Sequence, residues 1–173
     1  AIATDKAPSA IGPYSQAIRN GNLLFVSGQL GLDPATGDMV SQSAVDQARQ
    51  ALINLAAIAT AAGTDIRNTI KTTIFLTDLS GFAEINKVYG EAFDQPYPAR
   101  STIEVSALPK GGKVEIEAII ALEVQGLVEV RVGSGAYVKR LPGKEDIPGF
   151  NVTAFELTEA RLLFESEAAA LAA

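Results

Sequence analysis

The sequence predicts an α+β fold in which two helices cover one face of a mixed β-sheet. Two segments carry apolar residues at helical spacing, and five others carry the short apolar or alternating runs that are typical of strands. Along the chain the order is strand, strand, helix, strand, helix, strand, strand, which favours a helix layer packed on a sheet. The 173 residues suffice for one domain, or for one domain with an appendage.

The first three elements are a β-hairpin and a helix. Leu23–Leu32 is an apolar run interrupted by glycines, which is typical of a buried strand that other backbone approaches closely. The dipeptide Asn20-Gly21 before it is a hairpin signal, so residues 15–19 are predicted as its partner strand. Ser43 stands in an N-cap position, and apolar residues at helical spacing predict a helix from there to Gly63.

The next three elements are a strand, a helix and a strand. Residues 66–77 are rich in Ile and Thr, which favours a strand. A helix is predicted to begin near Ser80, and Pro96 ends it before the strand that carries Arg100. The apolar face of this helix, which we assign to the core, consists of Phe82, Ile85, Tyr89 and Phe93.

The last two strands flank a loop rich in proline and glycine. Because side chains alternate along a strand, Arg100 and Thr102 share one face of the first strand, and Glu115 and Glu117 share one face of the second. A guanidinium and a carboxylate are therefore predicted on neighbouring strands, pointing the same way. The spacing alone fits two interpretations, a functional site or a cross-strand ion pair that is worth little at a surface.

The sequence contains no cysteine and no histidine. This excludes thiolate nucleophiles, Ser-His-Asp triads and metal sites built on thiolate or imidazole. Catalysis would have to use carboxylates, Tyr, Lys, Arg, backbone groups and water. No Asp-rich loop has metal-ligand spacing, so we expect no metal.

The charge pattern argues against two classes of partner. The net charge is −6 and no block of basic residues is present, whereas nucleic-acid binding needs clustered Lys and Arg. No apolar run is long enough to span a bilayer, and the first residues lack a basic-then-apolar signal. We therefore expect a cytoplasmic protein that binds neither nucleic acid nor a membrane.

Several motifs over residues 1 to about 125 resemble those of one family. The most specific stretch runs from Pro98 to Ala118 and contains Pro-Ala-Arg-Ser, Leu-Pro-Lys-Gly and Val-Glu-Ile-Glu-Ala. In the family's order, the others are Ile11–Ala17, Val26–Leu30, Gln47–Gln50, Lys71–Leu79 and Asn86–Tyr89. Together they resemble the RidA family, also called YjgF/YER057c/UK114, the reactive-intermediate imine deaminases.

The resemblance implies an architecture and a reaction. Three subunits would pack their sheets into a closed trimeric barrel like that of chorismate mutase, with sites in the clefts between subunits. We assign Ile103, Val105 and Ile116 to the sheet face that this barrel would cover. The substrates implied are small 2-enamino and 2-imino acids, which would be hydrolysed to 2-oxo acids and ammonia without a cofactor. By order of elements alone, a monomeric α+β domain fits equally well.

The resemblance also assigns roles to individual residues. Arg100 would grip the substrate carboxylate, and Glu115 would orient or activate the attacking water. Thr102 departs from the pattern because many members carry Cys there; a hydroxyl can still form hydrogen bonds, but thiol chemistry is lost. Further substrate-binding candidates are Tyr14, Ser27, Gly28 and Asn86. The alternative is a non-catalytic small-molecule-binding protein, or a structural trimer whose tail drives a larger assembly.

The resemblance ends near Gly126, so we divide the chain into residues 1–126 and 127–173. The tail alternates Val with charged residues and then has Gly-Ser-Gly, which predicts a hairpin of residues 127–132 and 136–141. Thr153 begins a capping-box pattern, and a helix is predicted from there to Leu171. A hairpin and one helix are too small to bury a core. We expect an appended assembly module or an engineered fusion that binds another protein or subunit; the alternative is a disordered extension.

Overall fold

One mixed sheet of five strands carries two helices in the computed structural model, which describes residues 1–122, 128–131 and 135–138. The chain divides into two units, Ala1–Gly126 and Leu127–Ala173. In the first unit the elements are β1 (Ala17–Asn20), β2 (Leu23–Leu30), α1 (Ala44–Ala61), β3 (Thr69–Leu76), α2 (Phe82–Ala92), β4 (Ala99–Glu104) and β5 (Val114–Ala121). Single 3-10 turns lie at Ile66–Asn68, Leu79–Gly81 and Pro109–Gly111. This confirms the predicted α+β class.

The strands lie in the order β1-β2-β5-β3-β4. Neighbours are antiparallel except β3 and β4, which are parallel because α2 returns the chain to the edge where β3 began. The prediction that the strands of Arg100 and Glu115 are neighbours is therefore wrong, since β3 lies between them. Residues 105–113 do not close a hairpin but carry the chain past β3 to pair with its other side.

The core lies between the sheet and the two helices. Every second residue of β5 faces it, as the alternation predicts, and these side chains are Val114, Ile116, Ala118 and Ile120. Ile116 is fully buried there, so its assignment to the uncovered face is wrong. β3 contributes Thr72, Ile74 and Leu76, and the helices contribute residues such as Leu55, Ile58, Ile85 and Tyr89.

Close contact between α1 and β2 depends on a glycine and two buried amides. A Cβ at Gly31 would lie 2.5 Å from the Cα of Gln47, so only glycine lets the helix approach this closely. The Gln47 side chain accepts a 2.7 Å hydrogen bond from the backbone N of Lys113. Asn54 donates to the carbonyls of Leu30 and Leu32 at 3.1 and 3.0 Å. These bonds fix the end of β2 and the start of β5 in relation to each other.

The sheet face opposite the helices is left uncovered by the described residues. Phe25 and Ile103 are 42% and 45% exposed on it, and the side chains of Phe75 and Ile119 are half-buried. Lys71 also lies on this face and donates a 3.0 Å hydrogen bond to Ser101. Exposed apolar residues gathered on a sheet face favour a partner surface there.

The second unit contains β6 (Val128–Arg131) and β7 (Gly135–Val138), which pair antiparallel. β6 falls within its predicted range, and β7 begins one residue before its predicted range at Gly135, so the predicted hairpin is confirmed. The helix expected from Thr153 to Leu171 lies outside the described residues. The tail's role in assembly stays a prediction. Among the described helices, none has the length and apolar character needed to cross a membrane.

Candidate active site

The guanidinium of Arg100 lies on two aromatic rings of α2. Its Cζ is 4.7 Å from the ring centroid of Tyr89 and 5.3 Å from that of Phe82. Its Nη1 donates a 2.8 Å hydrogen bond to Oδ1 of Asn86, one helical turn after Phe82. These contacts place Arg100 on the helix-covered side of the sheet, at its β4 edge. We call Phe82, Asn86, Tyr89 and Arg100 the Arg100 half-site.

Two contacts with buried residues hold the Tyr89 ring in place. Its hydroxyl shares a 2.8 Å hydrogen bond with Oγ1 of Thr72, a fully buried residue of β3 that is in register with Arg100. The ring also packs on Phe93, with centroids 4.7 Å apart. Burial raises the pKa of the Tyr89 hydroxyl, so it remains a neutral hydrogen-bonding group.

No described carboxylate neutralises Arg100. Within residues 1–122 the ion pairs join Arg49 to Asp46, Arg67 to Asp65 and Asp94, and Lys87 to Glu84. The guanidinium is exposed and borders a cleft of about 550 Å³, which Tyr97 and Pro98 also line. An arginine that packs on two rings and has no ion pair with a described residue is suited to bind a carboxylate or another planar anion.

Glu115 lies on the opposite face of the sheet, half-buried against the backbone of β2. A Cβ at Gly28 would lie 2.7 Å from Cδ of Glu115 and would overlap its Oε1, so the carboxylate occupies space that only glycine leaves free. Burial, with a smaller contribution from the charge of Glu117, raises the pKa of Glu115 above its usual value of 4.5. No hydrogen bond to the charged form offsets these effects among the described residues.

An open groove of about 630 Å³ surrounds Glu115. Tyr14 lines it beside Ser27, whose hydroxyl donates a 2.7 Å hydrogen bond to the carbonyl of Ser15. Gly12 has a φ of 139°, and the turn that it makes brings the hydroxyl of Tyr14 within 3.3 Å of the backbone N of Ile11. We call Tyr14, Ser27, Gly28 and Glu115 the Glu115 half-site.

One buried side chain holds the N-terminal segment at the rim of this groove. Gln16 donates to the carbonyls of Thr4, Ala7 and Pro8 at 3.0, 3.1 and 2.8 Å and accepts from the backbone N of Thr4 at 2.7 Å. Gln16 lies within the motif Ile11–Ala17, but the sequence alone predicts no role for it. Its fully bonded amide fixes the wall of the groove next to Tyr14.

The structure therefore separates the predicted site residues into two groups. Asn86 and Arg100 lie together, and the half-buried Thr102 follows on the same face of β4, in register with Ile74. Tyr14, Ser27, Gly28 and Glu115 lie together on the other face. The prediction that Arg100 and Glu115 point the same way is wrong within one chain. Sequence reasoning also missed that Phe82 and Tyr89, assigned to the core, contact Arg100.

Comparison with known proteins places the chain in a family. The family model described as endoribonuclease L-PSP, which is the YjgF/RidA family, matches residues 4–122. The chain belongs to the RidA family. The residues matched by the family model include both half-sites.

Relatives of this RidA family member carry several names. The RutC family protein y4sK of Sinorhizobium fredii is 64% identical over 121 residues, which are 70% of this chain and 96% of that protein. The 2-iminobutanoate/2-iminopropanoate deaminase of Capra hircus is 51% identical over 118 residues, which are 68% of this chain and 86% of the relative.

Solved structures share the fold over the same part of the chain. RidA from the Antarctic bacterium Psychrobacter sp. PAMC 21119 is 48% identical, with a TM-score of 0.68, over 70% of this chain and 98% of that one. E. coli TdcF with bound serine is 47% identical, with a TM-score of 0.66, over 69% of this chain and 96% of that one. The five-strand sheet with its two helices is thus the fold of RidA structures.

Proposed function

We propose that this protein hydrolyses reactive 2-enamino and 2-imino acids to 2-oxo acids and ammonia. The observation that carries the proposal is the unpaired Arg100 on its two rings, because such a group is suited to hold a carboxylate. Relatives named 2-iminobutanoate/2-iminopropanoate deaminase, at 51% and 47% identity in goat and human, support the reaction class.

The complete site is proposed to lie between subunits of a homotrimer. Arg100 and Glu115 lie on opposite faces of one sheet, so a single chain cannot direct both at one small substrate. The uncovered face with Phe25 and Ile103 would be buried in such an assembly. Arg100 of one subunit would then close the groove that holds Glu115 of the next.

The proposed reaction needs only these side chains and water. Arg100 donates two parallel hydrogen bonds to the substrate carboxylate and so orients the imine carbon. A water molecule adds to that carbon while the Glu115 carboxylate accepts one of its protons. From a protonated imine this gives a neutral carbinolamine, and Glu115 returns the proton to its nitrogen. The C–N bond then breaks, and Glu115 accepts the proton of the carbinolamine hydroxyl as ammonia leaves and the 2-oxo group forms. A cofactor is unnecessary because the imine carbon is already electrophilic.

The surroundings of Glu115 suit a group that both accepts and returns a proton. Its pKa is raised by burial and by Glu117, which brings it closer to neutral pH and makes the carboxylate a stronger base. Tyr14 and Ser27 border the same groove and are proposed to hold the substrate or water there. The hydroxyl of Thr102 is proposed to take the hydrogen-bonding place that Cys has in many family members.

Ammonia release from freshly generated 2-iminopropanoate tests the proposal directly. We expect the protein to accelerate hydrolysis well beyond the spontaneous rate, and the Arg100→Ala variant to lose that acceleration. The alternative, a non-catalytic small-molecule-binding protein, predicts the spontaneous rate with and without the protein. Binding of 2-oxobutanoate measured in parallel by calorimetry separates that alternative from an inactive preparation.

A further inference from the structure

We infer that Phe82 and Tyr89 form an aromatic shelf that, with Asn86, positions Arg100 as a carboxylate receptor and stabilises its charge where no described carboxylate does so. This inference rests on the proposed function and adds positioning residues to it. The shelf comprises the two ring faces that lie 5.3 and 4.7 Å from Cζ of Arg100.

The shelf and a substrate carboxylate would use different parts of the guanidinium. An aromatic ring stabilises the cation by lying against the flat face of the guanidinium. A carboxylate instead binds the N–H groups along the edge of the guanidinium. Rings can therefore stabilise Arg100 without occupying the donors that the substrate needs. An Asp or Glu of the chain would have occupied that edge and neutralised the charge.

Asn86 is the one described side chain that hydrogen-bonds to Arg100, and it adds no charge. Its Oδ1 accepts from Nη1 at 2.8 Å, which fixes the rotation of the guanidinium. The four remaining N–H donors stay available, so a bidentate contact to a carboxylate is still possible. An amide at this position orients the cation and leaves its charge intact.

The shelf is fixed because its nearer ring belongs to the core. Tyr89 is only 4% exposed, and its hydroxyl bond to Thr72 ties the far end of the ring to the strand beside β4. The ring cannot follow a side-chain movement of Arg100, so Arg100 is held over it in one orientation before substrate arrives. Such preorganisation lowers the entropy lost on binding.

The first test compares ring removal with a matched core change in the full-length protein. We expect Tyr89→Leu to raise KM for 2-iminopropanoate roughly fivefold with a smaller change in kcat. Tyr89→Phe keeps the ring and loses only the hydroxyl bond to Thr72, so its KM should rise less than that of Tyr89→Leu. Phe93→Leu also removes an aromatic core ring but has no contact with Arg100; it should lower thermal stability and leave KM within about twofold.

The second test uses a substitution that separates structural support from ligand binding. Asn86→Asp places a carboxylate beside Arg100, so we expect higher thermal stability but weaker binding of 2-oxobutanoate than in Asn86→Ala. A purely structural Asn86–Arg100 contact would instead make stability and binding change in the same direction. Calorimetric binding of 2-oxobutanoate and a thermal melt provide the two measurements.

The outcomes distinguish this inference from the proposed function. If Arg100→Ala keeps full activity, the proposed function itself fails. If Arg100→Ala is inactive while Tyr89→Leu and Phe93→Leu have equal KM values, the function stands and the shelf is overturned. If Tyr89→Leu does not fold, Phe82→Leu and Asn86→Asp decide instead, and unchanged 2-oxobutanoate binding in both overturns the shelf.

Discussion

The two half-sites give their charged groups opposite electrostatic environments. The Arg100 half-site stabilises an exposed cation with two rings and one amide, and it leaves the charge unpaired. The Glu115 half-site destabilises a half-buried carboxylate, which loses part of its hydration and meets a second carboxylate and the bare backbone of Gly28. A stabilised cation is suited to hold an anion, and a destabilised carboxylate is suited to take and release a proton.

The separation of the half-sites explains how both charges persist. In one chain they lie on opposite faces with β3 between their strands, so they cannot neutralise each other. Had β4 and β5 been neighbours with both side chains on one face, an ion pair would have satisfied both groups. The four predictions below test this contrast.

The largest expected effect comes from removing the cation. Arg100→Ala should lower kcat/KM about 10²- to 10³-fold, because two charge-assisted hydrogen bonds to the substrate carboxylate are lost. Arg100→Lys keeps the charge but loses the planar fork, so it should recover only part of the activity. Initial rates of ammonia release measure both, and a thermal melt close to that of the parent would show an intact fold. Full activity of Arg100→Lys would show that substrate binding depends on the positive charge and not on the planar fork.

Removing the carboxylate should lower turnover and raise stability together. Glu115→Gln should reduce kcat about a hundredfold, because an amide cannot accept a proton. The folded chain binds the Glu115 proton more tightly than the unfolded chain, so stability falls as pH rises above about 4.5. The variant lacks that fall and should melt at a higher temperature than the parent at pH 7. A lower melting temperature there would contradict the description of Glu115 as an unsatisfied buried charge.

Mixing two inactive variants tests whether the half-sites meet between chains. If Arg100→Ala and Glu115→Gln subunits are unfolded and refolded together in equal amounts, about a quarter of the interfaces should carry both native groups. Ammonia release should then recover to about a quarter of the parent rate, whereas separately refolded variants mixed afterwards stay inactive. No recovery despite exchange of subunits would place the complete site within one chain.

The smallest effect concerns the second carboxylate near Glu115. Glu117→Gln removes a negative charge that raises the pKa of Glu115, so the acid limb of the kcat/KM profile should move to lower pH. Its turnover at the optimum should fall far less than that of Glu115→Gln. Other titratable groups that line the groove, Tyr14 and Lys110, are unchanged and serve as the background. An equal loss in both variants would mean that the two glutamates share the proton transfer.

Local patterns predicted most elements to within a few residues. Alternation correctly placed Val114, Ile116, Ala118 and Ile120 on one face of β5, and helical spacing correctly placed Ile85 and Tyr89 in the core. The strand predicted over residues 66–77 begins three residues later, at Thr69, because residues 66–68 form a 3-10 turn. The side chain of Asp65 accepts from the backbone N of Arg67 at 2.8 Å and bends the chain there.

The sequence by itself determined which residues alternate, where the helices lie and, through its motifs, the family. Only the tertiary structure decided that β3 separates Arg100 from Glu115 and that Tyr89 supports Arg100. The physical reason is the distance along the sequence over which each pattern acts. Alternation and helical spacing follow from backbone geometry over a few residues, whereas strand order depends on how α2 and residues 105–113 carry the chain across the sheet. A ring's position on a helix face likewise does not reveal which cation from a distant strand will lie on it.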